Sequence, residues 1–159
     1  MLRMQVKLVG ASELAARLKK VGVDLYDLHT EMILVGEMLK KFYSSENFTT
    51  RGSLLGKPWA PLAASTRADK NAHWAGKPDL VRTGDLMKGF QFAAGRMQVA
   101  VNNKVTVEGK GQTYNLATLM QKGTSRGMPP RAMMGFTEVL RRDIVAVVDR
   151  GVKEKLVGL

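Results

Sequence analysis

The sequence has 159 residues, of which 45% are hydrophobic, so it can bury the core of one domain, and we expect a single domain over residues 1–159. It contains no cysteine, which excludes disulfides, thiol catalysis and cysteine-ligated zinc. It has no run of about 18 apolar residues and no signal-peptide pattern at its start, so we expect neither a membrane span nor a membrane partner.

The net charge of +11 is concentrated in the middle of the chain. Residues 51–131 carry 13 basic and 4 acidic side chains, whereas residues 1–50 carry 7 and 6, and residues 132–159 carry 5 and 4. Such a segment favours a polyanion or an acidic protein surface as a neighbour. The basic residues are scattered along the sequence, which suits contact with a nucleic-acid backbone without base reading. The alternative is that the charge only keeps the protein soluble.

One apolar stripe runs through the first third of the chain. Ser12 can act as an N-cap, and apolar residues then recur at alternating spacings of four and three. They are Leu14, Leu18, Val21, Leu25, Leu28, Met32, Val35, Leu39 and Phe42. This pattern predicts a long amphipathic helix over about 12–43. The helix could pack against another subunit or cover a sheet of its own domain, and we favour the sheet because later segments need a cover.

The stretch that follows is rich in Ser, Thr, Gly and Asn and predicts a loop over 44–62. Pro58 and Pro61 flank Trp59 there, and the residue before a proline avoids the helical conformation. We therefore expect Trp59 to anchor an extended loop to the body of the protein. A short helix is predicted over 63–72.

From Leu86 the hydrophobic period changes to two, which predicts a small antiparallel sheet over about 86–108. The first strand is expected to begin at Leu86. The stretches "MQVAV" and "VTVEG" are typical of a hairpin. A three-residue loop of Asn102, Asn103 and Lys104 would set Val101 against Val105 on the apolar face.

The last third of the chain predicts two helices separated by a loop. A short helix is expected to end at Gly123, and Pro129 and Pro130 extend the loop over 122–134. Apolar residues at helical spacing then predict a C-terminal helix over about 136–157, with Thr137 as N-cap. The fold class is therefore α+β: a long N-terminal helix and a C-terminal helix packed on a small antiparallel sheet, with long loops.

The residues that usually carry catalysis are sparse. His29 and His73 are the only histidines, and two ligands do not make a zinc site. Asp79 and Asp85 stand close together in a basic segment, where carboxylates are more typical of ion pairs than of acid–base catalysis. No nucleophile elbow or phosphate-binding loop is present. We expect no enzyme activity, no catalytic residue, no metal site and no cofactor.

Four stretches, in order, carry a resemblance: "GKPWAPLAAST", "LVRTGDLMKGF", "TYNLATLMQKGTSRGMPPRAMMGF" and the amphipathic C-terminal helix. Together they resemble the virion-morphogenesis and tail-completion proteins of long-tailed bacteriophages and the related tail-component family of lambda-like phages. The matching residues are Trp59, Pro61, Leu62, Thr83, Gly84, Leu86, Tyr114, Gly123, Thr124, Pro129, Pro130 and Arg131. Two departures are Leu119–Lys122, where that family commonly has a histidine, and Ala132–Met133, where it has Pro-Phe.

The resemblance implies a structural subunit of the virion, made in the host cytoplasm, at the head–tail interface. Such subunits form rings, commonly sixfold, around the DNA channel, with connector or neck proteins and tail-tube or terminator proteins as neighbours. A neck, a tail-completion and a tail-terminator position all stay open. The alternative from composition is a small basic protein that binds nucleic acid without sequence specificity.

Two sets of residues follow as site predictions. For contacts with subunits or partners, the expected residues are Trp59, Arg82, Thr83, Gly84, Gly123, Thr124, Pro129, Pro130 and Arg131. For the face toward DNA in the channel, the expected basic residues are Lys88, Arg96, Lys104, Lys110, Lys122 and Arg126.

Overall fold

A helix laid across a small antiparallel sheet forms the centre of the computed structural model, which describes residues 2–7, 16, 19, 27–77, 79–109, 111–124 and 127–157. The sheet has the order β1 (Arg3–Lys7), β3 (Gln98–Asn103), β2 (Phe90–Ala94), and both pairs are antiparallel. The helix is α1 (His29–Lys41). The α+β class is thus confirmed. Within the described residues, no helix has the length and apolar character needed to cross a membrane.

One face of this sheet carries its apolar side chains. Phe92 stands opposite Val101, and Val101 in turn stands opposite Met4 on β1. Because directly opposed residues in antiparallel strands point to the same side, these residues and Val99 share one face. Val99 and Val101 are fully buried, and so is Phe90.

Helix α1 covers that face, as the apolar stripe predicted. Met32, Val35 and Leu39 are buried in the shared core. The helix lies close to the sheet at Gly36, where an added Cβ would lie 2.3 Å from a ring carbon of Phe92. Glycine at this position lets the helix axis come near the sheet, which outweighs its poor helix propensity.

The sequence predicted one uninterrupted helix over about 12–43, and this prediction is wrong. Helix α1 begins at His29, and Asp27 and Leu28 before it are not helical. The Asp27 carboxylate accepts a hydrogen bond from the His29 backbone N–H at 3.2 Å, and the Leu28 N–H donates to the Arg96 carbonyl at 2.9 Å. These bonds replace the intrahelical ones. Ala16 and Lys19 are helical, and the other positions of 11–26 lie outside the described residues.

The predicted loop over 44–62 begins later than expected. Helix α1 continues through a π-helical segment (Phe42–Glu46) into a last turn, α2 (Asn47–Thr49), and a 3₁₀ turn follows (Ser53–Leu55). Asn47 and Phe48 are fully buried, so tertiary packing holds this polar stretch in helical form. The short helix predicted over 63–72 is present as α3 (Ala64–Trp74).

The predicted sheet over 86–108 is confirmed for the antiparallel pairing of β2 with β3, but the start of its first strand and the partner of its third strand are wrong. Leu86 lies in a one-turn helix, α4 (Asp85–Lys88), and β4 (Thr106–Gly109) pairs with β5 (Gln112–Asn115) in a separate two-stranded sheet. Asn103 belongs to β3 because its buried side chain donates to the Leu86 carbonyl at 2.7 Å and accepts from the Val105 N–H at 3.0 Å. Two of the three residues of the supposed hairpin loop, Asn102 and Asn103, therefore lie in strand β3.

The C-terminal third follows the sequence prediction closely. Helix α5 (Leu116–Lys122) ends at Gly123, and α6 (Glu138–Val157) starts two residues after the predicted position. Thr137 accepts a hydrogen bond from the Leu140 N–H at 3.0 Å, which confirms it as N-cap. Leu140 and Ile144 reach the core, and Gly151 lies against the buried Glu31 of α1.

Candidate interface site

Trp59 anchors its loop to the body, as predicted. Its side chain is 8% exposed, and its ring packs edge-on against Phe48 with centroids 5.3 Å apart. The indole N–H donates to the Ala132 carbonyl at 2.9 Å. Gly52, with φ of 79°, leaves the space this ring occupies, because an added Cβ would lie 2.2 Å from the indole nitrogen. The loop is thereby fixed at its centre.

Arg131 makes the return contact from the second loop. Its side chain is 4% exposed, and its guanidinium donates to the Ala60 carbonyl at 3.2 and 3.3 Å and to the Pro61 carbonyl at 3.4 Å. Burial lowers the pKa of Arg131 below its ordinary value, and the negative charge of Asp79 opposes that shift. Trp59 and Arg131 thus lock the two loops together reciprocally, each side chain bonding to the other loop's backbone.

This lock brings together two motifs that lie about 70 residues apart in the sequence. Both Trp59 and Arg131 are buried inside the fold. Their predicted role in contacts with other subunits stays a prediction. Within this chain, both side chains fix the backbone shape of their loops.

The loop over 122–134 is held by further bonds. Gly123 has φ of 72°, and an added Cβ would lie 2.5 Å from the Met128 carbonyl oxygen. The Thr124 N–H donates to that same carbonyl at 3.0 Å. Gln121 accepts from the backbone N–H groups of residues 133 and 134 and donates to the carbonyl of residue 134. Sequence reasoning missed Gln121, because a partly buried glutamine carries no pattern of its own. Pro129 is half-buried and Pro130 is exposed.

The "RTGD" stretch forms a tight turn, as predicted, although a helical turn and not a strand follows it. Gly84 has φ of 92°, a conformation that L-residues avoid. The Thr83 hydroxyl and the Asp85 carboxylate are 2.5 Å apart. Leu86 is buried in the core. Arg82 is exposed, and its guanidinium stands 4.2 Å from the centre of the Trp74 ring, at cation–π distance.

Helix α3 separates two clefts. The first, of about 490 Å³, lies between α3, the "RTGD" turn, β4 and α5, and its floor is apolar. Leu62, Leu80, Leu86, Val107 and Met120 are among its lining residues. The second, of about 560 Å³, lies between α3 and the Trp59 loop and is lined mainly by basic and polar side chains. The turn motif and the loop lock therefore shape the walls of two clefts that share one helix.

Four of the six basic residues predicted to face DNA lie among the described residues. Lys88, Arg96, Lys104 and Lys122 are exposed, whereas Lys110 and Arg126 lie outside the described residues. Lys104 donates its backbone N–H to the Gly89 carbonyl, so Lys88 and Lys104 are close together. Arg96 lies in the turn at the opposite end of strand β2. A shared channel face for these residues stays a prediction.

The described part of the chain holds no group of three or more His, Asp or Glu side chains arranged to bind a metal ion. Asp79 pairs with Arg51 at 3.6 Å, which agrees with the ion-pair interpretation of that carboxylate.

Comparison with known proteins identifies the family. No curated protein and no solved structure matches the chain. A family model described as the phage virion morphogenesis family matches residues 9–153, which includes both loops of the lock and the "RTGD" turn. This is the family that the sequence motifs resemble, and the role it implies is structural or assembly-related within a bacteriophage virion. The chain therefore belongs to the phage virion morphogenesis family.

Proposed function

We propose that this protein is a structural subunit at the head–tail junction of a long-tailed bacteriophage, where copies form a ring around the DNA channel. The proposal starts from membership of a virion morphogenesis family over residues 9–153. The observation that carries it to a subunit contact is an exposed apolar patch at the junction of α1, the 3₁₀ turn and α6.

Four apolar residues define this patch: Leu34, Met38, Leu54 and Val139. Val139 is 59% exposed, and Leu34 and Leu54 are exposed as well. Met38, Leu54 and Val139 line one groove of about 290 Å³. Leu34 and Met38 share a helix face because they are four residues apart. A contiguous apolar surface on a small protein is typical of a contact with another chain.

The surroundings of the patch favour a second copy as the occupant. Three of the four patch residues lie in residues 1–50 and 132–159, which carry nearly balanced charge, and only Leu54 lies in the basic segment 51–131. Copies with a net charge of +11 repel one another, so contacts between them are best placed away from the basic middle of the chain. A ring is built from heterologous contacts of this kind that close by rotation.

The test is complementation of a phage that lacks this gene, followed by electron microscopy of the lysate. With no complementing copy, we expect filled heads beside separate tails. The Val139→Glu variant should reproduce that defect, because it places a charge in the apolar patch. Val145→Glu is the matched control, since Val145 is 60% exposed on another face of the same helix.

Tails of irregular length without the gene would instead assign the ring to tail termination. Normal virions without the gene would overturn the proposal. Equal defects from Val139→Glu and Val145→Glu would remove the patch from it.

A further inference from the structure

The basic cleft beside α3 gathers charges that are scattered in the sequence. Arg51, Arg67, Lys70 and Lys77 all line it, and Asp79 is the carboxylate among its lining residues. Arg67, Lys70 and Asn71 project from one side of α3 because they are three and four residues apart. Basic residues that lie up to 26 positions apart in the chain thus share one cavity of about 560 Å³.

The positive charge of this cleft is only partly compensated. Asp79 pairs with Arg51, and its charge also acts on the buried Arg131 behind the cleft wall. Arg67 makes no ion pair with any described residue. The ammonium groups of Lys70 and Lys77 donate to neutral carbonyls, those of Lys77 and Arg82 respectively. Each ammonium has two further N–H donors besides the one in this bond.

The burial of Lys70 is the second observation that points to an anion. Its side chain is 8% exposed, although lysine is rarely buried without a charged partner. Burying an ammonium beside a carbonyl alone is unfavourable, and an anion that entered the cleft would offset this.

The form of the cleft favours a phosphate backbone over other anions. Trp59 lines the cleft, but its ring packs on Phe48 and its N–H is already bonded, so it offers no platform for stacking a base. Arginine, lysine and asparagine side chains are the usual partners of phosphate oxygens. A second copy is a poor source of anions because each copy carries +11.

We propose that this cleft binds the phosphodiester backbone of double-stranded DNA, without reading its sequence. Arg67 and Lys77 supply exposed charges at its mouth, and Lys70 supplies a buried one. The site concerns the single subunit, so the inference does not rest on the ring or on its place in the virion.

The test measures fluorescence anisotropy of a labelled DNA duplex of random sequence, titrated with the purified protein over a range of salt concentrations. The Arg67→Ala/Lys77→Ala double variant removes two exposed charges of the cleft. Arg141→Ala/Arg142→Ala is the matched control, because it removes two exposed charges from α6 and leaves the same net charge. Circular dichroism checks that both variants fold.

The plot of log K against log salt has a negative slope, and each lost phosphate contact reduces the magnitude of that slope by about 0.9. At roughly 0.1 M salt, two lost contacts therefore weaken binding by at least about tenfold, and the magnitude of the slope decreases by about 2. The control variant should stay within about threefold of the unmodified protein.

Equal weakening by both double variants would overturn the proposal, because net charge alone would then explain binding. Polyglutamate supplies the second arm of the test. If polyglutamate displaces the duplex at a lower charge concentration than unlabelled DNA does, the cleft prefers carboxylates, and the assignment to phosphate falls.

Discussion

Replacing Trp59 tests whether the lock between the two loops stabilises the whole domain. The Trp59→Ala variant removes a ring that is 92% buried against Phe48, together with its hydrogen bond to Ala132. Truncation of a buried tryptophan costs about 3–5 kcal/mol. Because domains are stable by only about 5–15 kcal/mol, a large share of the folding free energy depends on this one residue.

Trp59→Phe separates the ring from its hydrogen bond. The Ala132 carbonyl also accepts a bond from the Asn47 side chain at 3.0 Å, so it keeps one donor after the indole N–H is lost. We therefore expect a loss of only about 1 kcal/mol for the missing bond. Loss of ring volume adds to it, and the total should stay well below that of Trp59→Ala.

The assay is urea unfolding followed by far-ultraviolet circular dichroism, with the free energy of unfolding extrapolated to water. Trp74→Phe is the control, since Trp74 is only half-buried and its ring stands against the exposed Arg82 guanidinium. The reasoning is refuted if Trp59→Ala lowers the free energy of unfolding by less than about 1 kcal/mol, because the loop would then contribute no more than an exposed segment.

Three further substitutions test other parts of the fold. Gly36→Ala should destabilise the domain by about 1–3 kcal/mol despite the better helix propensity of alanine, because its methyl group would overlap the Phe92 ring, and urea unfolding measures this. Thr137→Ala should cost about 1 kcal/mol in the same assay through loss of the cap on α6. Tyr43→Phe tests pH dependence: burial raises the pKa of Tyr43 above its ordinary value, so its hydroxyl stays protonated in the folded chain while the unfolded chain releases the proton above about pH 10. The stability that this shift provides is present below about pH 10 and is lost as the pH rises, so the advantage of the unmodified protein over the phenylalanine variant should shrink above pH 10.

Each of these has its own counter-result. Gly95→Ala is the control for Gly36, because its added methyl group would meet only ordinary contacts; equal losses at both positions would deny the close approach to Phe92. For Tyr43→Phe, the compared quantity is the difference in free energy of unfolding from the unmodified protein. If this difference stays constant from pH 8 to 11, the Tyr43 hydroxyl is in contact with water. If Thr137→Ala leaves the free energy of unfolding unchanged, the start of α6 is fixed by packing alone.

The parts of the fold that depend on local pattern could be predicted from the sequence. The stripe of Met32, Val35 and Leu39 identified the covering helix, and Gly123 and Thr137 marked helix ends because caps act within a few residues. Strand β1 was missed although Met4 and Val6 alternate with polar residues, since five residues with two apolar positions give a weak signal.

The parts that depend on long-range partners could not be predicted. Asn103 has the composition of a turn residue and becomes strand only because the Leu86 carbonyl stands where its amide can reach it. Arg131 was expected at a surface and is buried because two carbonyls of the Trp59 loop accept hydrogen bonds from its guanidinium. The basic cleft was invisible for the same reason: no local pattern records that Arg51 and Lys77 face one cavity.

The charge distribution separates the two proposals. The apolar patch is built mainly from α1 and α6, in segments of nearly balanced charge, whereas the basic cleft lies in the segment with 13 basic and 4 acidic residues. A substitution in one region should therefore leave the other intact, because surface sites that share no contacts act independently. Val139→Glu should abolish complementation and keep duplex binding by the purified protein within about threefold. Arg67→Ala/Lys77→Ala should weaken duplex binding while copies still associate, as native mass spectrometry would report. If instead Val139→Glu weakened duplex binding tenfold or more, DNA would bind to assembled rings and not to the single subunit, and the cleft would have to be reassigned to a surface that only the ring completes.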